Sequence, residues 1–314
     1  MPPESGRDWK LIEKLVMSLQ SEQRRSRRWG IFFKFLTFGY LFALLFMIQS
    51  PMGGSMDAVT GQHTALVEVT GPISADELAS ADNLVGSLRA AFEAEKSKAV
   101  VLRINSPGGS PVQSGYVYDE IKRLRQEYPD KKVYAVISDV GASGAYYIAA
   151  AADEIYANRA SLVGSIGVVA GGFGFTELME KLGVDRRLYT AGENKAFLDP
   201  FSPERDEDIA FWQGVLENTH AQFIAAVKDG RGDRLAEDER LFSGLVWSGE
   251  QALELGLIDG LGSSSWVARE LVGAEELVDY SRSPSPFQQL VEQLGVAMGQ
   301  GVATQLLESR LELR

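Results

Sequence analysis

Between residues 64 and 157 short runs of β-favouring apolar residues alternate with longer helix-forming runs, and this alternation restricts the fold more than any other feature. Residues 65–70 read as a strand ended by Gly71-Pro72. Residues 75–95 read as a helix, with Leu78, Leu84, Val85, Leu88 and Phe92 near helical spacing. A second strand, 99–104, runs into Asn105-Ser106-Pro107-Gly108-Gly109, and a helix over 114–128 places Val117, Ile121 and Leu124 on one face. A third strand, 133–140, is cut by Gly141-Ala142-Ser143-Gly144, and an Ala-rich helix follows over 145–152. Strands joined through helices require right-handed crossovers, so the expected class is α/β with βαβ units and a mostly parallel sheet. Functional loops of such sheets lie beyond the carboxyl ends of the strands, which puts the two glycine-rich turns on one rim.

Ser143 stands at the joint of the third strand and its helix. Gly141 and Gly144 remove β-carbons that would crowd an approach to its hydroxyl, and the helix start supplies unpaired N–H groups beside any anion formed there. The alternative is a helix cap, since serine is among the favoured N-cap residues. Pro107-Gly108-Gly109 has two readings as well. It aims backbone N–H donors at a developing oxyanion, or it is an ordinary tight turn after a strand. Phosphate binding is disfavoured, because neither glycine-rich nucleotide motif is present.

Beyond this core, residues 162–170 read as a glycine-punctuated strand with Ser165 as its polar interruption, either satisfied by backbone or serving a site. Residues 176–182 form a helix closed by Gly183, and 184–190 form a strand. In the loop 191–201, Lys195 is followed by Ala-Phe-Leu; it is a surface charge or, if desolvated, a base for a serine. A helix over 203–229 begins with Ser202-Pro203 and carries Ile209, Trp212, Leu216, Phe223, Ile224 and Val227 as its stripe. His220 lies within it and reads as structural or surface. Ser248 and Gln251 make a capping box for a short helix ended by Gly256, and Glu254 and Asp259 read as solvated. A Ser-Pro-Ser-Pro stretch leads into an amphipathic tail, 283–314.

Composition narrows the chemistry. There is no cysteine and there are only two histidines, His63 and His220, so thiolate metal sites are excluded and a histidine-based one is disfavoured. No metal and no cofactor are expected. Residues 1–34 hold eight Lys/Arg against four Asp/Glu, leaving 23 against 39 and a balance of about −16 elsewhere, which disfavours nucleic acid as a partner. The arginines at 24, 25, 27 and 28 immediately precede an apolar run, 29–48, of the length a bilayer span needs, with Lys34 placed to snorkel. The expectation is a cytoplasmic basic arm over 1–28, one transmembrane helix over 29–48, a linker over 49–63 and an extracytoplasmic domain over 64–282. A cleaved signal peptide fits less well, since some 20 polar residues precede the basic cluster.

Four ordered stretches, RINSPGG, SDVGASGAYYIAAAADEIYA, SLVGSIGVV and TAGENKAFLDPFSP, resemble the signal peptide peptidase SppA family in its short, single-repeat form, over about residues 64–262. That resemblance implies a ClpP/crotonase-like fold and a membrane-anchored serine endopeptidase of the bacterial inner membrane, its catalytic domain outside the cytoplasm. It implies Ser143 as nucleophile, Lys195 as general base, Ser165 as support for the lysine, and Gly109, with the helix-start amide of Gly144, as oxyanion donors. It also implies signal-peptide remnants and unfolded envelope proteins as substrates, and a ring-like homo-oligomer whose serine and lysine come from neighbouring subunits. Two rivals remain. A crotonase-type acyl-CoA enzyme would use the same paired amides, and a non-catalytic membrane scaffold would leave Ser143 as a cap.

Overall fold

Parallel pairing dominates the sheet, as the alternation requires. In the computed structural model, β1 (His63–Thr70), β2 (Ser97–Ser106) and β3 (Val133–Ala142) lie side by side, with Val67 opposite Leu102 and Leu102 opposite Ala135. β8 (Leu277–Asp279) extends the sheet beyond β1. The free edge of β3 forks. Its first half pairs with β4 (Glu154–Ala157), which carries β7 (Gly260–Leu261), whereas Val140, Gly141 and Ala142 pair with β5 (Leu162–Gly164). β6 (Val246–Ser248) closes the β5 edge and is the antiparallel member. Buried Ser161 seals the fork by donating its hydroxyl to the carbonyls of Ile137 and Ser138.

The structure describes residues 5–49 and 61–282, and two compact units divide the chain, the second being Val59–Ser283. Within that unit α2 (Ala81–Glu93), α3 (Pro111–Glu127) and α4 (Gly144–Ala149) cover one face of the sheet. They bury Leu88, Phe92, Ile121, Leu124, Tyr146 and Ile148 against Val67, Leu102, Ile104 and Ile137. Each such side chain contributes about 1.5–3 kcal/mol by leaving water. The other face carries a smaller cluster of Leu66, Val101, Tyr134, Val136 and Tyr156 under Val267. Val267 belongs to α8 (Ser264–Trp266) and its π-type continuation, Val267–Val272.

Several boundaries differ from expectation for identifiable reasons. The helix expected from residue 75 begins at Ala81, because Ile73 is first pinned to the glycine turn: its N–H donates to the Gly108 carbonyl (3.0 Å) and its carbonyl accepts from Ser110 N–H (2.8 Å). α3 starts at Pro111, earlier than read, with Ser110 capping the Gln113 N–H. The strand expected over 162–170 stops at Gly164, since Gly164 and Ser165 adopt φ of 109° and 50° and turn the chain away. Residues 184–190 form no strand; they are exposed and have no ladder partner. α5 (Thr176–Leu182) ends at left-handed Gly183 as expected. α6 (Asp206–Arg231) begins after the expected Ser202-Pro203, because the Ser202 hydroxyl donates instead to Asp199. The capping box of Ser248 and Gln251 is present at the start of α7 (Gly249–Glu254).

Asp259 is not solvated. It accepts from Arg231 (2.6 and 3.0 Å), Arg234 (3.0 Å) and the Ile155 N–H (2.7 Å), and the Arg231 side chain is 1% exposed. Burial by itself would raise this carboxyl, but the Arg231 hydrogen bonds and charge outweigh it and hold the group below the ordinary aspartate range.

The first unit contains α1 (Ser5–Gln49), which runs unbroken through the basic cluster and the apolar run. Every described side chain in it is exposed, Phe35, Phe38 and Phe42 by more than two thirds. Among the described residues no helix is long and apolar enough to cross a membrane. The span expected over 29–48 continues past residue 43 into positions whose side chains lie outside the described residues, as do residues 50–60 of the linker and the tail from 283.

Candidate active site

Three glycine-rich turns meet at the carboxyl end of β2, β3 and β5. The turn after β2 packs directly on the turn after β3. A β-carbon on Gly108 would lie 2.6 Å from the Gly144 nitrogen and 2.8 Å from Ser143 Cβ, so no other residue fits there, and its φ of 93° makes the same demand. A β-carbon on Gly144 would be 3.3 Å from the Gly109 nitrogen and would overlap the Ser114 hydroxyl. The Gly109 and Gly144 amides are therefore neighbours. Neither N–H has an acceptor among the described residues, as an oxyanion donor requires.

Ser143 occupies the N-cap position of α4 with φ 53° and ψ −126°, a conformation costing a non-glycine residue about 1–3 kcal/mol. Its side chain makes no capping hydrogen bond, which removes the cap reading. The backbone is held in this strained turn by its N–H to the Gly164 carbonyl (2.8 Å) and by the Tyr147 N–H on its own carbonyl (3.0 Å). Ser165 repeats the pattern at φ 50°, anchored by its N–H on the Leu245 carbonyl (2.7 Å), with its hydroxyl uncommitted. Two strained serines whose hydroxyls bond to nothing among the described residues thus face one cleft.

That cleft has a volume of about 1060 Å³ and is lined by Gly108, Gly109, Ser143, Gly144 and Ser165 together with Tyr116, Tyr147, Phe223 and Phe242. Tyr147, one helical turn after Ser143, stacks on Tyr118 (5.2 Å between ring centres) and abuts Phe223 (5.0 Å). Tyr118 in turn donates to Asp229 (2.8 Å), tying α3 to α6. His220, expected to be structural or surface, makes a structural bond but at the cleft. α6 passes over the rim, and His220 lines the cleft, where its Nε2–H donates to the Ile166 carbonyl (3.0 Å) beside Ser165. Nothing in a single helix period signals that return. The spacing of four between Ser143 and Tyr147 would have placed Tyr147 above the serine.

The structure brings Ser143, Ser165, Gly109 and Gly144 together in one chain, but not Lys195. Lys195 is exposed in a turn, its N–H on the Gly192 carbonyl (3.2 Å), and it does not line the cleft. The whole stretch from residue 167 to 222 contains no buried residue, although Val169, Phe173, Leu182, Tyr189 and Phe211 are large and apolar. Among the described residues no cluster of side chains suits a metal ion.

Comparison with known proteins adds four relationships. Residues 125–277 match the sequence profile described as Peptidase family S49. A putative protease from Synechocystis is 33% identical over 204 residues, 65% of this chain and 71% of its own length. A putative signal peptide peptidase SppA from Enterococcus faecium is 31% identical over 197 residues, 63% of this chain and 57% of its own. A Brucella abortus protein named Na(+)/H(+) antiporter NhaA is 48% identical over 211 residues; the chain aligns with 67% of itself but spans only 28% of that protein.

Proposed function

Because the chain belongs to peptidase family S49, the family of the SppA proteins, we propose that it is a membrane-anchored serine endopeptidase acting on signal-peptide remnants and unfolded envelope proteins. The observation that carries this reading is the cleft itself, in which strained, uncapped Ser143 sits beside the two unpaired amides of Gly109 and Gly144. The Ser143 hydroxyl attacks a peptide carbonyl, and the two N–H groups hold the resulting oxyanion. A neutral Lys195 takes the hydroxyl proton and returns it to the departing amine, Ser165 orients the lysine, and water then cleaves the acyl-enzyme. Because the base must be uncharged, hydrolysis rises from neutral toward alkaline pH.

A lysine serves as base only where water is excluded, and Lys195 in one chain is exposed. We therefore assign its place in the site to a neighbouring copy. The unburied stretch 167–222, with its exposed aromatic and aliphatic side chains, supports such an assembly, since apolar surface of that extent is normally covered by a partner. Anchoring is supported by the arginine cluster before the apolar run and by the exposed phenylalanines of α1. The acyl-CoA and scaffold readings are weaker, the second because Ser143 caps nothing.

Fluorophosphonate treatment of a membrane preparation tests both parts. Label should map to Ser143, fall sharply in Lys195→Ala, and stay with the membranes through an alkaline wash. Absence of label on Ser143 would refute the peptidase, and release by the wash would refute the anchor.

A further inference from the structure

Helix α3 carries six charged side chains, and five of them are paired. Glu120 binds Arg89 and Arg123, Glu127 binds Arg123, Lys122 binds Asp229, and Arg125 binds Asp153. Asp119 is the exception: it has no ion pair and no hydrogen bond among the described residues, and it lines the cleft of Ser143. Among the described residues of the chain itself no lysine or arginine lines that cleft, and the other ionisable groups there are His220 and the phenols of Tyr116 and Tyr147. Lys228 of α6 is engaged elsewhere, over the Phe242 ring at 5.2 Å.

The surroundings of Asp119 are those of a subsite for a long side chain. One turn before it, Gly115 lies against Tyr147, whose Cε1 would be 3.8 Å from a β-carbon added there. Gly115, Tyr116, Asp119 and Tyr147 thus adjoin one another along the wall of the cleft, and the Tyr147 ring begins one helical turn from Ser143. Burial first, and the Asp119 charge second, push the Tyr147 phenol above its ordinary value, so the carboxylate is close enough to the ring to be felt. An aliphatic stem resting on Tyr147 and Tyr116 would bring a terminal cation to Asp119.

We propose that Asp119 is a specificity-determining residue that selects peptides presenting a lysine or arginine side chain to the cleft. The inference rests on the peptidase reading for its occupant, and it extends that reading to a substrate class that the apolar walls by themselves would not favour. An ion pair at a partly open site shifts affinity by about fivefold at most, and it weakens with added salt.

The test separates binding from hydrolysis. A fluorescent decapeptide of alanine and norleucine, and a set in which one norleucine at a time is replaced by lysine, are titrated against full-length Ser143→Ala protein by anisotropy at low and high salt. Lysine at one or two positions should strengthen binding about three- to fivefold, the gain should vanish in Ser143→Ala/Asp119→Asn, and Asp119→Lys should shift the preference to glutamate at the same positions. The proposal is overturned if no lysine position gains, if no peptide binds, or if the gain survives in the Asn variant. Hydrolysis of the norleucine peptide by wild type, with no lysine preference in kcat/KM, would leave the peptidase standing and remove only Asp119.

Discussion

Ser143→Ala should lower kcat for peptide hydrolysis by about 10⁴-fold or more, the scale of loss when a serine nucleophile is removed, while thermal unfolding is unchanged. The second half of that expectation follows from the structure, because the Ser143 side chain makes no capping bond that alanine would forfeit. Ser143→Gly sharpens the separation. At φ 53° and ψ −126° glycine relieves strain that serine and alanine both carry, so this variant should be equally inactive yet more stable by about 1 kcal/mol. Calorimetry and a casein assay on the same preparations decide the matter. Near-normal hydrolysis by either variant would exclude Ser143, and a loss of stability in Ser143→Gly would exclude the strained turn.

Asp259→Ala is expected to cost about 3–5 kcal/mol, because it leaves the Arg231 guanidinium, 1% exposed, without its counter-charge. The pair joins the end of α6 to β4 and to the Gly256 turn, where Arg231 also donates to the Gly256 carbonyl (2.8 and 2.9 Å). Replacing both partners at once, Arg231→Met with Asp259→Leu, should recover part of the loss, since no buried charge is then left uncompensated, although the Ile155 N–H and the Gly256 carbonyl lose their partners. The pH dependence has a definite sign. A carboxyl held below its unfolded value stabilises the fold above the unfolded pKa, about 3.9, and that stabilisation is lost as pH falls through the folded value. The gap between wild type and Asp259→Ala should therefore be full at neutral pH and shrink below about pH 4. Denaturant melts that place the single variant within about 0.5 kcal/mol of wild type would contradict this account.

What the sequence disclosed follows from where information is local. The strands at residues 65–70, 99–104 and 133–140 were legible because period and turn chemistry coincide there, and the parallel order then placed Gly109 and Ser143 on one rim. Ser165 reached the cleft as the motif implied, but by ending its strand at φ 50° and not by lying within it. Contacts made across the fold were not legible. The place of His220 at the cleft was not legible because its helix gives no sign of folding back over the rim, and Asp259 looked solvated because Arg231, 28 positions earlier, has no periodic relation to it. Asp119 was indistinguishable from the other charges of α3 until their partners were seen. The strand expected over 184–190 is absent, since no residue between 167 and 222 is buried in the chain and no neighbouring strand is there to pair with it.

That unburied stretch carries Lys195, so the account turns on whether a neighbouring copy supplies the base. Equal amounts of Ser143→Ala and Lys195→Ala protein, each inactive, are mixed under conditions in which mass spectrometry verifies subunit exchange, and peptide hydrolysis is measured. If serine and lysine of one site come from different chains, about one quarter of the sites in a random mixture hold both intact groups, and about one quarter of wild-type activity returns. If both groups belong to one chain, every site stays broken, and an exchanged mixture with no activity would contradict the shared site.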